Sequence, residues 1–294
     1  MRIHDDDRFP MSFSHADLEI ARERMPLESF GRDLFDASVS DAREVILLLS
    51  TPRSGSTFLS EQFRVHGGFV THEYFNSKYG IPALAERWGC LDSAGRLDAR
   101  RYIQELRRYR TGADGRLGIN LHGSHVPIYA LFARHLTDLP VRAIRLNRGD
   151  TISQAISLSI AKQSGRWSSN HAGRSDAIYN FEHITKMVEE LARQNARMDA
   201  FEAAFNLHPT RLEYDEVVAA PHATVAAVLD VEAKPQQTSD RLEKQRGRRN
   251  AEWRERYIAD SLKVADNGVS SPIQRIGARA VAQFGKKVKR LRKR

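Results

Sequence analysis

The chain has 294 residues, 41% of them apolar and 28% charged, with a formal net charge of +9. That length can bury a sizeable core, most of it in one large α/β domain, and the balance excludes a disordered polymer. No run of about 18 apolar residues occurs, so no bilayer-spanning helix is expected. A single cysteine, Cys90, excludes an intrachain disulfide and a zinc cluster built on several thiolates.

Met1 to Asp7 lacks the apolar stretch of a secretory signal. Together with the lone cysteine this gives a reducing compartment, the cytoplasm, as the expected location. The first clear element is the apolar run Glu44-Val45-Ile46-Leu47-Leu48-Leu49-Ser50, read as a buried strand. It breaks at Pro52 into Arg53-Ser54-Gly55-Ser56-Thr57, and a helical pattern resumes at about Thr57. A strand turning tightly into a helix aims backbone N–H groups and the positive end of the helix dipole at one point. Gly55 permits close approach, while Arg53, Ser54, Ser56 and Thr57 add donors for phosphate or sulfate oxygens. The nucleoside-triphosphate loop G-x-x-x-x-G-K-[ST] has a lysine on the terminal phosphates and a hydroxyl on magnesium. Here no lysine follows the glycine and an arginine precedes it, which suits a less charged group such as a phosphosulfate. No metal is expected.

Phe69 to Asn76 follows the first helix and re-enters at the same sheet end, bringing His72 and Glu73 with it. Asp98 to Tyr109 reads as a helix with Tyr102, Ile103, Leu106 and Tyr109 inward and arginines outward, Leu117 to His122 as a short strand, and Ile128 to Leu136 as a helix. Pro140 to Asn147 is a strand ending in Arg148-Gly149-Asp150, and Thr151 to Trp167 is a helix with Ile152, Ala155, Ile156, Ser159 and Ile160 on one face. Ser153 and Ser157 lie one turn apart, so either can face an anion next to Arg148. Gly165 to Ser175 is a polar loop; Phe181, Ile184, Val188, Leu191, Asn195, Met198 and Phe205 mark a long amphipathic helix. Thr210 to Tyr214 is a further strand, and Pro221 to Leu229 a helix opened by its proline. Strands alternating with helices predict a parallel sheet with helices on both faces, with ligands at the carboxyl ends of the strands.

At the far end Ile273, Ile276, Val281, Phe284, Val288 and Leu291 fall at helical spacing among nine lysines and arginines between Arg275 and Arg294. A basic amphipathic helix reads as a membrane-surface or partner-binding segment, with nucleic acid the disfavoured alternative. Three regions follow: an extension over 1–40, the α/β domain over 41–262, and the basic tail over 263–294.

The loop Pro52 to Thr57 resembles the 5′-phosphosulfate loop of sulfotransferases that use 3′-phosphoadenosine 5′-phosphosulfate. The pattern R-x-D-x-x-x-Q-A-x-S over Arg148 to Ser157, then A-x-Q-[ST]-x-x-W over Ala161 to Trp167, is similar to the bacterial trehalose sulfotransferase family. The similarity continues through Arg211 to Val218 and Glu243 to Tyr257. This resemblance implies a P-loop-like sulfotransferase fold, 3′-phosphoadenosine 5′-phosphosulfate as co-substrate, and a carbohydrate or glycolipid acceptor. It implies Arg53, Ser54, Gly55, Ser56 and Thr57 on the 5′-phosphosulfate, and Arg148 with Ser157 (Ser153 as alternative) on the 3′-phosphate. It also implies a carboxylate base, best matched by Glu73, although His72 stands where relatives carry glycine. His72 is a second candidate, since an unperturbed imidazole pKa of about 6.5 suits proton transfer. Relatives commonly have a lysine where Asn120 stands; His122 or His125 are the candidates to replace it. Trp167, Trp88 and Tyr74 are candidates to stack on a sugar, or else core residues. A non-catalytic nucleotide-binding module, a P-loop kinase (disfavoured by the missing G-K-[ST]) and a basic-tail adaptor are the competing readings.

Overall fold

A computed structural model describes residues 8–25, 40–167, 176–232 and 248–266. In chain order the elements are β1 (Arg8–Ser12), α1 (His15–Arg24), β2 (Glu44–Ser50), α2 (Ser56–Gly67), α3 (Gly80–Arg87), β3 (Arg96–Asp98), α4 (Ala99–Arg110), β4 (Arg116–His122), α5 (Val126–Phe132), β5 (Val141–Asn147), α6 (Thr151–Ser164), α7 (Phe181–Ala204), β6 (Thr210–Glu213), α8 (Tyr214–Ala219), α9 (Pro221–Leu229) and α10 (Arg248–Asp266). They fall into two units, one drawn from residues 1–148 and 196–239, the other from 149–195 and 240–294.

The first unit is built on a four-stranded parallel sheet in the order β4-β2-β5-β6. β2 is central and apolar at nearly every position because both of its faces are covered. Val45, Leu47 and Leu49 point into a cluster with Leu117, Ile119 and Leu121 of β4, Tyr102 of α4 and Phe132 of α5. Ile46 and Leu48 point the other way, onto Leu59 and Phe63 of α2, Ile144 and Leu146 of β5, and Val225 and Leu229 of α9. Helices therefore cover both faces of a parallel sheet, as the alternation of elements predicts. All four strands run the same way, so their carboxyl ends open on one edge.

The second unit packs α6, the first part of α7 and α10 around Ala155, Ile156, Leu158, Ile184, Leu191, Trp253 and Tyr257. Asp150 opens α6, accepting from the Ser153 N–H at 3.0 Å. Gly165, at φ 72°, closes it, so the helix expected to reach Trp167 stops three residues earlier.

Several elements depart from the sequence reading. β1 and β3 form an antiparallel pair, and Phe13 and Met25, on either side of α1, reach the main core cluster. The helix expected to end at Tyr109 runs on to Arg110, which is buried beside the Trp88 ring, whereas Phe205 is exposed. The helix expected at Ile128 begins at Val126, with Pro127 in its first turn, and gives way after Phe132 to a 3₁₀ turn over Ala133–His135. Tyr74 and Trp88, candidates for sugar stacking, are core residues; Trp88 packs against Tyr102 and Tyr109 at 5.6 and 5.9 Å. Most of the Gly165–Ser175 loop, the extension's residues 26–39 and the basic tail from residue 267 lie outside the described residues.

Candidate functional site

Each strand of the sheet delivers a polar group at its carboxyl end. After β2, the chain turns at Thr51 and the Ser54 N–H donates to the Thr51 carbonyl at 3.1 Å. Arg53 adopts φ 64° and Gly55 φ 101°, two left-handed residues in three positions, which coil the loop into the start of α2. Gly55 is the N-cap of α2 and no side chain caps this end, so the first-turn N–H groups have no acceptor within the helix. A Cβ at Gly55 would lie 2.3 Å from Cδ2 of Tyr214, whose ring closes over the loop from the start of α8. Only glycine fits both that dihedral and that contact.

Ser54 is fully buried, and its Oγ has no hydrogen-bond partner among the described residues. An orphaned buried hydroxyl is costly unless a ligand completes it. Arg148, just past the end of β5, donates from Nη1 to the Arg53 carbonyl at 2.7 Å and lays its guanidinium 5.2 Å from the Tyr214 ring centroid. The Arg53 guanidinium loses pKa through burial first and through the nearby Arg148 charge second. The desolvated Arg53 cation is repelled by the Arg148 charge, and an anion beside both would turn that repulsion into attraction. The loop is chemically suited to a phosphate or sulfate.

Beyond β4 the chain segment from Phe69 runs alongside the sheet. Gly118 makes room for it, since a Cβ there would meet the Val70 carbonyl at 2.6 Å. His72 bridges Ile119 in parallel fashion, and the Asn120 N–H donates to the His72 carbonyl at 2.9 Å. Ser60 of α2 clamps the same segment by reciprocal bonds to Thr71, at 2.7 and 2.9 Å. Backbone pairing thus places Glu73 at the carboxyl edge of the sheet. Its Oε2 accepts from Asn76 Nδ2 at 3.0 Å and from the Tyr79 hydroxyl at 2.9 Å. His122, the last residue of β4, and His125, the N-cap of α5, each place a ring nitrogen 3.8 Å from the same oxygen. Among the described residues, Glu73, His122 and His125 are the one group of three or more such side chains whose ligand-type atoms all lie within 4.8 Å of one another.

Burial alone would raise the Glu73 pKa, but His122, His125, His72 and the Asn76 hydrogen bond outweigh it and bring it to about 2. Burial lowers His72 to about 4, against the pull of Glu73, and lowers His125 to about 4 with help from His122. At neutral pH Glu73 is therefore an anion and both of these imidazoles are neutral. Asn120 is buried and its Oδ1 accepts from the Ser50 hydroxyl at 2.7 Å, tying the ends of β4 and β2 together. Asn120 brings a structural hydrogen bond, not a charge, to the place where the resemblance leads one to expect lysine.

Within the second unit, the Ser153 hydroxyl donates to Asp150 Oδ2 at 2.6 Å, and Arg254 of α10 reaches the same oxygen at 3.3 Å. Ser157 lies one turn further along α6 and is partly exposed. Arg53, Ser54, Gly55, Ser56, Thr57 and Arg148 are gathered at one loop, with Ser56 buried and Thr57 exposed. Sequence reasoning missed Tyr214 as the cover of that loop, and Asn76 and Tyr79 as partners of Glu73. Only the local proximity of Asn76 and Tyr79, three and six residues on, hinted at them.

Residues 45–260 match the model of the Stf0 sulphotransferase family. The chain is 25% identical, over 77% of its own length and 98% of the relative's, to trehalose 2-sulfotransferase of Mycobacterium tuberculosis. A solved structure, the sulfotransferase domain of the Synechococcus PCC 7002 olefin synthase, matches 76% of this chain and 97% of its own with a TM-score of 0.42 and 15% identity. The chain belongs to the Stf0 sulphotransferase family and is a sulfotransferase.

Proposed function

We propose that this member of the Stf0 family moves a sulfuryl group from 3′-phosphoadenosine 5′-phosphosulfate to a hydroxyl of a carbohydrate or glycolipid, over residues 41–262. The observation that carries the donor reading is the loop Arg53–Thr57. It joins an orphaned buried hydroxyl at Ser54, an uncapped helix end at Gly55 and two mutually repelling arginines, Arg53 and Arg148. In this reading Arg53, Ser54, Gly55, Ser56 and Thr57 hold the 5′-phosphosulfate, while Arg148 and Ser157 hold the 3′-phosphate. Ser157 is preferred to Ser153 because it occupies the serine position of the Q-A-x-S pattern on which the resemblance rests.

The acceptor oxygen forms its bond to sulfur as the bond from sulfur to the 5′-phosphate oxygen breaks. The products are the sulfate ester and 3′-phosphoadenosine 5′-phosphate, and the hydroxyl proton passes to Glu73. A carboxylate held low by its neighbours is a weak base, yet it is adequate here. The hydroxyl becomes strongly acidic once its oxygen binds sulfur, so the proton leaves late. Asn76 and Tyr79 fix the carboxylate and so reduce the reorganisation needed at the moment of transfer. Charge on the departing phosphate is stabilised by the loop N–H groups and Arg53. The carbohydrate acceptor is favoured by the similarity to a trehalose 2-sulfotransferase. The basic tail over 263–294 would hold the enzyme at an anionic membrane face in the cytoplasm, with basic residues contributing about 1 kcal/mol each near the surface.

The test is transfer of labelled sulfate from the nucleotide donor to trehalose and a panel of other sugars, in the presence of a chelator. Arg53→Ala and Arg148→Ala should each weaken binding of 3′-phosphoadenosine 5′-phosphate by about 1.5–3 kcal/mol. Glu73→Gln should lower turnover by about 10²–10⁴-fold with donor affinity unchanged. Normal affinity in both arginine variants would show the donor site to be elsewhere, and donor binding without transfer to any sugar would favour a non-catalytic module.

A further inference from the structure

We infer that Glu73, His122 and His125 form a binding site for a divalent transition-metal cation of the zinc class, and that its occupancy takes the Glu73 carboxylate out of use as a proton acceptor. The inference shares Glu73 with the proposed transfer reaction, although the binding itself needs neither nucleotide nor sugar.

Geometry carries it. Glu73 Oε2 lies 3.8 Å from His122 Nδ1 and 3.8 Å from His125 Nε2, and the three ligand-type atoms fall within 4.8 Å of one another. Those separations are too long for hydrogen bonds. Tetrahedral zinc with bonds of 2.0–2.2 Å places its ligands about 3.3–3.5 Å apart, so the set closes if the two 3.8 Å pairs shorten by roughly half an ångström and the His122–His125 pair, within 4.8 Å, by at most about 1.5 Å. Two imidazoles and one carboxylate are a zinc-type donor set that leaves a fourth position open.

The positions are fixed by backbone rather than by flexible surface arms. His122 ends β4, and the His125 N–H donates to the His122 carbonyl at 2.8 Å, closing a tight turn. The two rings stack, with centroids 5.2 Å apart and planes 20° from parallel. Glu73 is held beside β4 by the His72–Ile119 bridge, and its carboxylate is already oriented by Asn76 and Tyr79. Such outer hydrogen bonds are what a metal-ligating carboxylate requires.

Both histidines are buried, and their other ring nitrogens, His122 Nε2 and His125 Nδ1, have no partner among the described residues. Ligating histidines usually donate that second N–H to a protein group, and losing such support costs about 10–100-fold in affinity. This cluster therefore fits an exchangeable, regulatory ion better than a permanently held one. A cation there would also neutralise the Glu73 anion in a partly buried place.

The experiment is titration of the full, chelator-stripped chain with Zn²⁺ by calorimetry and with Co²⁺ by visible absorption, without nucleotide or sugar. The expected result is one saturable equivalent per chain, with the intense absorption of low-coordinate Co²⁺ and a Zn²⁺-dependent rise in thermal midpoint. His122→Ala and His125→Ala should each weaken binding at least tenfold, and the near-isosteric Glu73→Gln should do so with little risk to folding. In the transfer assay, Zn²⁺ should suppress turnover and a chelator should restore it. Absence of saturable binding by the wild-type chain, or equal binding by Glu73→Gln and the histidine variants, would overturn the inference while leaving the transferase reading intact. Saturable Zn²⁺ binding by a chain that transfers no sulfate to any sugar would support the metal site and count against the transferase reading alone.

Discussion

Gly55→Ala offers a perturbation whose size can be worked from the structure. The new Cβ would sit 2.3 and 2.5 Å from Cδ2 and Cε2 of Tyr214, where carbon atoms normally approach to about 3.5–4.0 Å. The ring must move by more than an ångström, yet the Arg148 guanidinium lies 5.2 Å from its centroid and resists that shift. Overpacking of this kind costs about 1–3 kcal/mol. Alanine at φ 101° adds backbone strain of about 1–3 kcal/mol. The sum, roughly 2–6 kcal/mol, should appear as a lowered urea midpoint followed by circular dichroism, with loss of 3′-phosphoadenosine 5′-phosphate binding in parallel. Adding Tyr214→Ala separates the two parts. The double variant should be less destabilised than the sum of the single ones by about 1–3 kcal/mol, the steric part, while the backbone part remains. Strict additivity, or a cost below about 1 kcal/mol for Gly55→Ala alone, would refute the account of Tyr214 as the cover of the loop.

Two further perturbations test the supports of the site. Arg145, buried in β5, donates to Glu202 at 2.8 Å and lies 3.3 Å from Asp199, and Glu202 also receives Arg211 at 2.7 Å. Arg145→Met should destabilise by about 3 kcal/mol, the low end for breaking a buried pair, because Arg211 still answers Glu202; urea unfolding reads it. Ser153→Ala and Ser157→Ala should divide by function. The first should leave 3′-phosphonucleotide affinity nearly intact, because the Asp150 cap still accepts from the Ser153 N–H, while the second should weaken it by about 1 kcal/mol in a binding titration.

Features built from adjacent residues are legible in the sequence alone. The run from Val45 to Leu49, uniformly apolar, already specified a strand buried on both faces, because no alternation remained to give it a wet side. Thr51 to Thr57 could be read as a loop suited to an anion, since its chemistry lies in consecutive residues on one backbone. Pro221 marked a helix start where the structure has one, whereas Gly165, read inside a helix reaching Trp167, ends that helix. Trp88 and Tyr74 stayed open between core and sugar contact, because an aromatic side chain looks alike in both until its neighbours are known.

Tertiary structure decided what depends on separate segments meeting. Strand order brought Arg148 onto the Arg53 carbonyl, and the register of β4 against β2 set Ser50 opposite His122, within hydrogen-bond reach of Asn120. The His72–Ile119 bridge then carried Glu73 to His122 and His125, about fifty residues away in sequence. A local sequence pattern fixes which groups a turn presents, because adjacent residues share one short backbone. Which turns face one another is set by strand pairing and by the burial of both sheet faces, interactions summed over the whole unit, so the donor-rich turn at Arg53–Thr57 could be read from its residues and the meeting of Glu73 with His122 and His125 could not.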